Sequence, residues 1–275
     1  MIRPVYPTVP QPNYCVSKKF IVNLRPDSYN TAMFFIPYGT RESTPRRSFP
    51  YITLMLVLIN VAVFAFEVYI MMTLGEAGIT NFVNQYATIP ASVTGGNFLQ
   101  IGLLSSMFLH AGLIHLLGNM IYLLPFGDNV EDRLGHLRYL LFYLLCGLIA
   151  TLVYVAFNPR LDVPLLGASG AVAGVLGGYL VLHPRGTVKG IFFIIILPLP
   201  IRLPAILFIG YWFIMQLFSS VASLSGNTVA ANLEVAFIAH VAGFIAGVIL
   251  APLLARKQEI QPESPFEGTS IAARQ

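Results

Sequence analysis

The sequence predicts an all-α, polytopic membrane protein built as a bundle of six transmembrane helices. Three observations predict it. Hydrophobic residues make up 56% of the 275 and charged residues only 10%, with a mean hydropathy of +0.73, whereas soluble domains carry roughly 25% charge. Six apolar windows recur, and each crossing needs about 20 residues. Fifteen of the sixteen Lys and Arg fall in the segments that share one side if the N-terminus is inside, leaving only Arg160 opposite. That bias puts both termini in the cytoplasm. The net charge of +4 thus reports orientation, and no nucleic-acid partner is expected.

Taken in order, residues 1–50 are Pro-rich, lack the apolar core of a signal peptide and read as a flexible cytoplasmic tail. Residues 51–255 hold the membrane-embedded domain, with spans at about 51–71, 103–126, 137–157, 168–182, 205–221 and 235–254. The loop 72–100 carries a single charge, Glu76. The fourth span is short: fifteen residues rise about 22 Å against a hydrocarbon core of about 30 Å. Its N-terminus should lie below the membrane surface, reached by an inward-dipping loop at 161–167. Segment 191–197 is apolar but runs into Pro198, Pro200 and Pro204. Proline removes helix donors, so this segment reads as an interfacial lead into the fifth span. Residues 256–275 form a cytoplasmic tail. Cys15 and Cys146 suggest no disulfide, and the halves show no internal repeat.

This topology places four polar residues at similar depth. Spans two, four and six run from outside to inside. His115 and Asn119 lie early in the second, Ser169 opens the fourth, and His240 sits in the first turns of the sixth. Polar groups in lipid are costly and mark functional sites by default. A hydroxyl nucleophile's natural partner is an imidazole base. Gly170, Gly174 and Gly178 on the fourth span, and Gly243 and Gly247 on the sixth, are small-residue stripes that allow close helix approach. Plain helix packing explains those glycines but neither Ser169 nor His240. His115 and Asn119, four residues apart, project from one face as two donors. With the Ser169 backbone N–H they suit an oxyanion. The plainer alternative is an interhelical hydrogen bond, worth about 0.6 kcal/mol in membranes.

On these residues the chain resembles the rhomboid family of intramembrane serine proteases. The motifs are His110-x4-His115-x3-Asn119, Gly167-Ala168-Ser169-Gly170, and Ala239-His240-x2-Gly243-x3-Gly247, with Glu131-Asp132-Arg133-Leu134-Gly135 after the second span. The resemblance covers about residues 46–254. It implies a Ser169–His240 dyad without a third member, an oxyanion hole from His115 and Asn119, and a structural role for His110 near the site beside Gly167, Gly170, Gly243 and Gly247. It further implies transmembrane protein substrates cut within the lipid bilayer. No metal or cofactor is required. A six-span core similar to that of bacterial members makes a bacterial plasma membrane the expected compartment, with the site toward the outer side. Some members carry a tyrosine four residues after the serine, stacked on the catalytic histidine. Here that residue is Ala173, so the contact is absent or supplied elsewhere. The Trp-Arg pair of some members' first loop is also missing.

Other polar groups read as structural. His136 and His183 fall at cytoplasmic helix ends. Glu131 and Arg133 tie the turn after the second span, and Glu67 and Glu234 snorkel to water at outer helix ends. Tyr211–Phe213 read as lipid contacts before a substrate gate. Competing functions fare worse. Zinc metalloproteases need a helical HExxH, aspartyl intramembrane proteases need two membrane aspartates, and neither is present. A silent relative that binds helices as a chaperone or adaptor would usually have lost Ser169 or His240. A transporter would predict acidic residues or broken helices at the midplane.

Overall fold

The computed structural model describes residues 34–42, 48–98, 100–194, 197–224 and 236–256. The expected tails at 1–33 and 257–275, and Glu234, lie outside them. The elements are β1 (Phe34–Arg41), α1 (Tyr51–Tyr86), α2 (Pro90–Thr94), α3 (Gly102–Ser105, extended by a 3-10 turn at Ser106–Phe108), α4 (Leu113–Leu134), α5 (His136–Phe157), α6 (Ser169–Leu182), β2 (Thr187–Ile194), β3 (Leu197–Pro204), α7 (Ala205–Leu224) and α8 (Phe237–Leu254).

Helices dominate, yet the all-α expectation is corrected by a three-stranded antiparallel sheet in the order β1-β2-β3. Two stretches read otherwise from sequence build it. β1 comes from the stretch expected to be flexible tail, and the described residues of the segment at 191–197 belong to β2 and β3. The prolines that excluded a straight helix are compatible with an edge strand. Pro198, Pro200 and Pro204 lie on edge strand β3 opposite Phe193, Ile191 and Thr187. Sharing one parity, they turn their donor-less nitrogens away from β2. Phe35 anchors the sheet on the bundle, its ring 4.9 Å from that of Phe208 on α7.

α1, α5 and α8 are long and apolar enough to cross a membrane. α1 runs for 36 residues but breaks at Gly75 (φ 65°), a left-handed conformation that a side chain resists. Before the break, Thr53, Leu56, Asn60, Glu67 and Ile70 mark its buried face, at the three- and four-residue steps of a helix. The second apolar window is corrected. It opens not as one helix from residue 103 but as α3 and α4 bent by 89° across Leu109–Gly112. Apolarity there reports burial, since Met107 and Leu109 are each 2% exposed. α4 in turn runs past Pro125 to Leu134. α6 and α7 are shorter apolar helices.

At the far end of α4, Glu131 is 1% exposed. It accepts hydrogen bonds from Ile52 N (2.9 Å), Thr53 N (2.7 Å) and Thr53 Oγ1 (2.7 Å), and lies 2.6 Å from His136 Nδ1. The carboxylate thus satisfies orphan amides at the N-terminus of α1 and opposes the helix dipole. Ser48 donates to Asp132 through its N and Oγ. Only Gly135 (φ 81°) separates α4 from α5.

α6 forms the centre, buried without a break from Ala171 to Tyr179. The glycine stripes divide the packing differently from two matched faces. A Cβ on Gly243 would strike the Gly170 carbonyl, and one on Gly247 the Gly174 carbonyl, so the α8 stripe admits the α6 backbone. The α6 stripe faces mainly α5: Gly170 meets Ala150, Gly174 meets Cys146, and Gly178 meets Phe142 along with Ala251 of α8. Gly177 is the α6 glycine that faces the Phe244 carbonyl of α8.

Candidate active site

α4, α6 and α8 present their N-terminal ends to one end of the bundle, and the polar residues singled out from sequence collect there. Ser169 is the first residue of α6 and is half-buried. His115 and Asn119 lie in the first two turns of α4, and His240 in the first turn of α8. Gly167, with φ of 122°, ends the connection from α5 to α6 and lies against His115 of α4. A Cβ there would come within 2.7 Å of His115 Cε1 and Nε2, and 3.8 Å of Ser169 Oγ. Any side chain would therefore wedge the imidazole away. Gly170 seats against α8 beside the Ala239 carbonyl and Gly243, which brackets His240.

The loop carrying Gly167 is held by main-chain bonds rather than by apolar packing alone. Thr88 and Leu165 exchange N–H···O bonds of 3.1 and 2.7 Å, Gly167 N donates to Ser106 O at 2.8 Å, and Ala91 N donates to Leu161 O at 3.0 Å. Irregular backbone in such a bundle must find its partners internally. The connection between α1 and α4 supplies them.

Tautomers follow from neighbours. Ala111 N donates to His115 Nδ1 at 3.4 Å, which leaves the His115 proton on Nε2, the nitrogen that flanks Gly167 and Ser169. Asn119 is 6% exposed, and its Nδ2 has no partner among the described residues. A buried donor left unpaired costs about 1–3 kcal/mol, which demands a reason. His240 is 8% exposed, and its Nδ1 lies 2.8 Å from Gln216 Oε1 on α7. Between Ser169 Oγ and His240 no hydrogen bond is formed among the described residues. Unliganded sites often hold such bonds long until substrate closes them.

Three contacts were missed or misjudged from sequence. Gln216 escaped notice, although a lone amide in an apolar helix is itself a signal. Trp212, one turn before it, places its ring 6.0 Å from that of His240 at 31°, so α7 supplies the aromatic neighbour that Ala173 cannot. Glu67 does not snorkel to water. It is fully buried, and its carboxyl group accepts from His110 N at 3.2–3.3 Å. His110 precedes α4 rather than riding on it, and its ring packs edge-on against His115 at 5.2 Å. Both its ring nitrogens are buried without partners among the described residues. Two cavities, of about 250 and 500 Å³, lie at the opposite end of the bundle, beside Arg133 and His183 and beneath β1.

Apolar helices around a cluster of Ser, His and Asn side chains define a multi-pass membrane protein with a polar site at one end of its bundle. The sequence model of the Rhomboid domain matches residues 96–257, more than half of the chain and every element from α3 to α8. The chain belongs to the rhomboid family. Among curated relatives, "RHOMBOID-like protein 4" of Arabidopsis thaliana is 44% identical over 78 residues, 28% of this chain and 19% of its own length. "Rhomboid protease GluP" of Bacillus subtilis (strain 168) is 40% identical over 78 residues, 28% of this chain and 15% of its own. "Putative rhomboid protease YdcA" of the same organism is 40% identical over 78 residues, 28% of this chain and 39% of its own. The aligned stretches thus span well under half the length of these relatives.

Proposed function

We propose that this protein is an intramembrane serine endopeptidase that cuts transmembrane segments of other membrane proteins. The observation that carries the reading is that His115 Nε2 and Ser169 Oγ both flank Gly167, with His240 on the adjoining helix at the same end. Relatives named as rhomboid proteases support it. In this reading Ser169 Oγ attacks the scissile carbonyl while His240 takes its proton. His240 then protonates the leaving amine, and water hydrolyses the acyl-enzyme. The His115 Nε2–H, the unpartnered Asn119 amide and the Ser169 backbone N–H receive the oxyanion. One such donor is typically worth about 2.7–4 kcal/mol of barrier. No proton leaves the cycle, and neither metal nor cofactor enters it.

A substrate helix hides its carbonyls in its own hydrogen bonds, so it must unwind locally before attack. α1 and α4 to α8 are the six proposed crossings. The charge bias puts both termini in the cytoplasm and the site toward the outer side, in a bacterial plasma membrane for the whole protein. The partners are membrane-protein substrates and the lipid bilayer.

A helix-binding relative without catalysis is the second reading, favoured by the lack of a direct Ser169–His240 hydrogen bond. One experiment separates them. Reconstituted wild type should react with a fluorophosphonate probe and cleave a transmembrane reporter, and Ser169→Ala and His240→Ala should do neither while remaining folded. A folded wild type that stays unlabelled and inactive favours the binding reading. Cleavage that survives Ser169→Ala refutes the nucleophile.

A further inference from the structure

We propose that Gln216 is a positioning residue for His240, fixing the tautomer that can act as a base. The inference rests on the reading of Ser169 and His240 as nucleophile and base. It names the third group on which that dyad depends, from a helix that contributes none of the residues so far placed in the chemistry.

Gln216 Oε1 lies 2.8 Å from His240 Nδ1. A carbonyl-type oxygen can only accept, so the imidazole proton sits on Nδ1 and Nε2 keeps its lone pair. Turned the other way, the amide would donate to Nδ1, drive the proton to Nε2 and leave no acceptor for the Ser169 hydroxyl. Amide orientation at Gln216 therefore decides whether the ring is a base at all. During attack Nε2 gains the Oγ proton as Oγ bonds the carbonyl carbon. The imidazolium then holds two N–H groups, and the one on Nδ1 still donates to Gln216. No third proton moves.

The ring is held from several sides. Trp212 and Gln216 are four residues apart on α7 and share a face, and both address His240. Phe237 meets the ring edge-on at 6.4 Å and 88°. Ser220 Oγ donates to the Gln216 backbone carbonyl at 2.8 Å, within the turn that carries the amide. A neutral acceptor leaves the resting imidazole uncharged, whereas a carboxylate in its place would pair with the imidazolium.

The test compares wild type, Ser169→Ala, Gln216→Leu and Gln216→Glu as full-length protein in liposomes. Fluorophosphonate labelling rate and reporter turnover are measured across pH, alongside thermal unfolding. Gln216→Leu keeps the bulk but has no acceptor. It should lower kcat and labelling rate by about 10- to 100-fold, the scale of loss when the partner that orients a metal-ligating histidine is removed, with KM little changed. Gln216→Glu restores the acceptor, so activity returns. Its negative charge also favours imidazolium, so the acid limb of the pH–rate profile moves to higher pH. Should Gln216→Leu fail to fold, the limb shift in Gln216→Glu decides alone. A folded Gln216→Leu at the wild-type rate, or an unmoved limb in Gln216→Glu, overturns the proposal while Ser169→Ala still abolishes labelling. If Ser169→Ala keeps cleaving, the dyad itself falls, and this inference with it.

Discussion

Replacing Glu131 separates what holds this fold together from what does its chemistry. Its carboxylate serves Thr53 N and Oγ1, both buried, and Ile52 N, which is part-buried. In Glu131→Ala the two Thr53 donors lose their acceptor, and each buried orphan costs about 1–3 kcal/mol. The Thr53 hydroxyl can rotate to another acceptor and water can reach Ile52, so the lower half of that sum applies to them. Loss of the favourable charge at the start of α1 adds up to about 1 kcal/mol. The total is about 2–5 kcal/mol, reaching the upper end for one substitution. At roughly 2–4 °C per kcal/mol for a chain of this size, the midpoint should fall by roughly 4–20 °C. Glu131→Gln keeps one accepting oxygen and should lose about half as much. Unfolding in mixed micelles, followed by far-UV circular dichroism, reads the loss. Sixteen residues of helix, about 24 Å, lie between Glu131 and His115, so fluorophosphonate labelling per folded molecule should not change. An alanine variant within about 0.5 kcal/mol of wild type would refute the argument. So would normal stability combined with slower labelling.

Further outcomes follow from the same contacts. His115→Ala and Asn119→Ala should each lower kcat by about 10²- to 10³-fold with KM nearly constant, as expected for donors used in the transition state; a pure KM effect in single-turnover and steady-state kinetics would contradict that use. Gly247→Val would drive a side chain into the Gly174 carbonyl and should destabilise by more than the about 1–3 kcal/mol of ordinary overpacking, because backbone rather than a side-chain tip must move. Gly210→Ala on α7 meets nothing within 4 Å and should be neutral or slightly stabilising, so equal thermal losses in the two variants would contradict the packing account. His183, just past the end of α6, has its pKa lowered from 6.5, first by burial and then by Arg133 against the opposing Asn129 carbonyl, Glu42 and Asp132. A depressed folded pKa means that its contribution is fully present above pH 6.5 and fades as pH falls from there through the folded value. Stability measured across that window should therefore drop in wild type and drop less in His183→Gln.

How much could be read from sequence depends on which physics wrote the pattern. The helices were legible because lipid enforces apolar runs of a set length, and α5, α6 and α8 begin and end within a few residues of their windows. Ser169, His240, His115 and Asn119 stood out because polar groups are rare in such runs. The sheet was invisible for the opposite reason. β1 is short, contains Pro37 and irregular pairing at Pro37/Gly39, and its partners lie about 150 residues away. The bend before α4 was hidden because α3 and α4 taken together are long and apolar enough to pass for one span. A hydropathy window measures whether a segment is buried and cannot see which way it runs.

Glu67 and Gln216 expose the remaining gap, and it is one of reasoning rather than information. Both are polar residues inside apolar helices, the same signal that picked out Ser169 and His240. Nearness to a helix end suggests that Glu67 reaches water. The backbone claimed it instead, because the chain that turns away before α4 leaves the His110 amide without a helical acceptor. A turn buried in a bundle must take its acceptors from neighbouring helices. An unexplained carboxyl or amide in one helix is therefore evidence of irregular backbone or an orphan side chain in another. Applied to α7, the rule makes Gln216 a search for a donor at the level of its own turn, and His240 Nδ1 is that donor. The same rule predicts that Glu67→Leu, though better suited to lipid, should destabilise the Leu109–Gly112 turn and displace His110. Hydrogen exchange at residues 109–112 should rise in that variant. Protection equal to wild type would mean that the carboxyl group is a bystander.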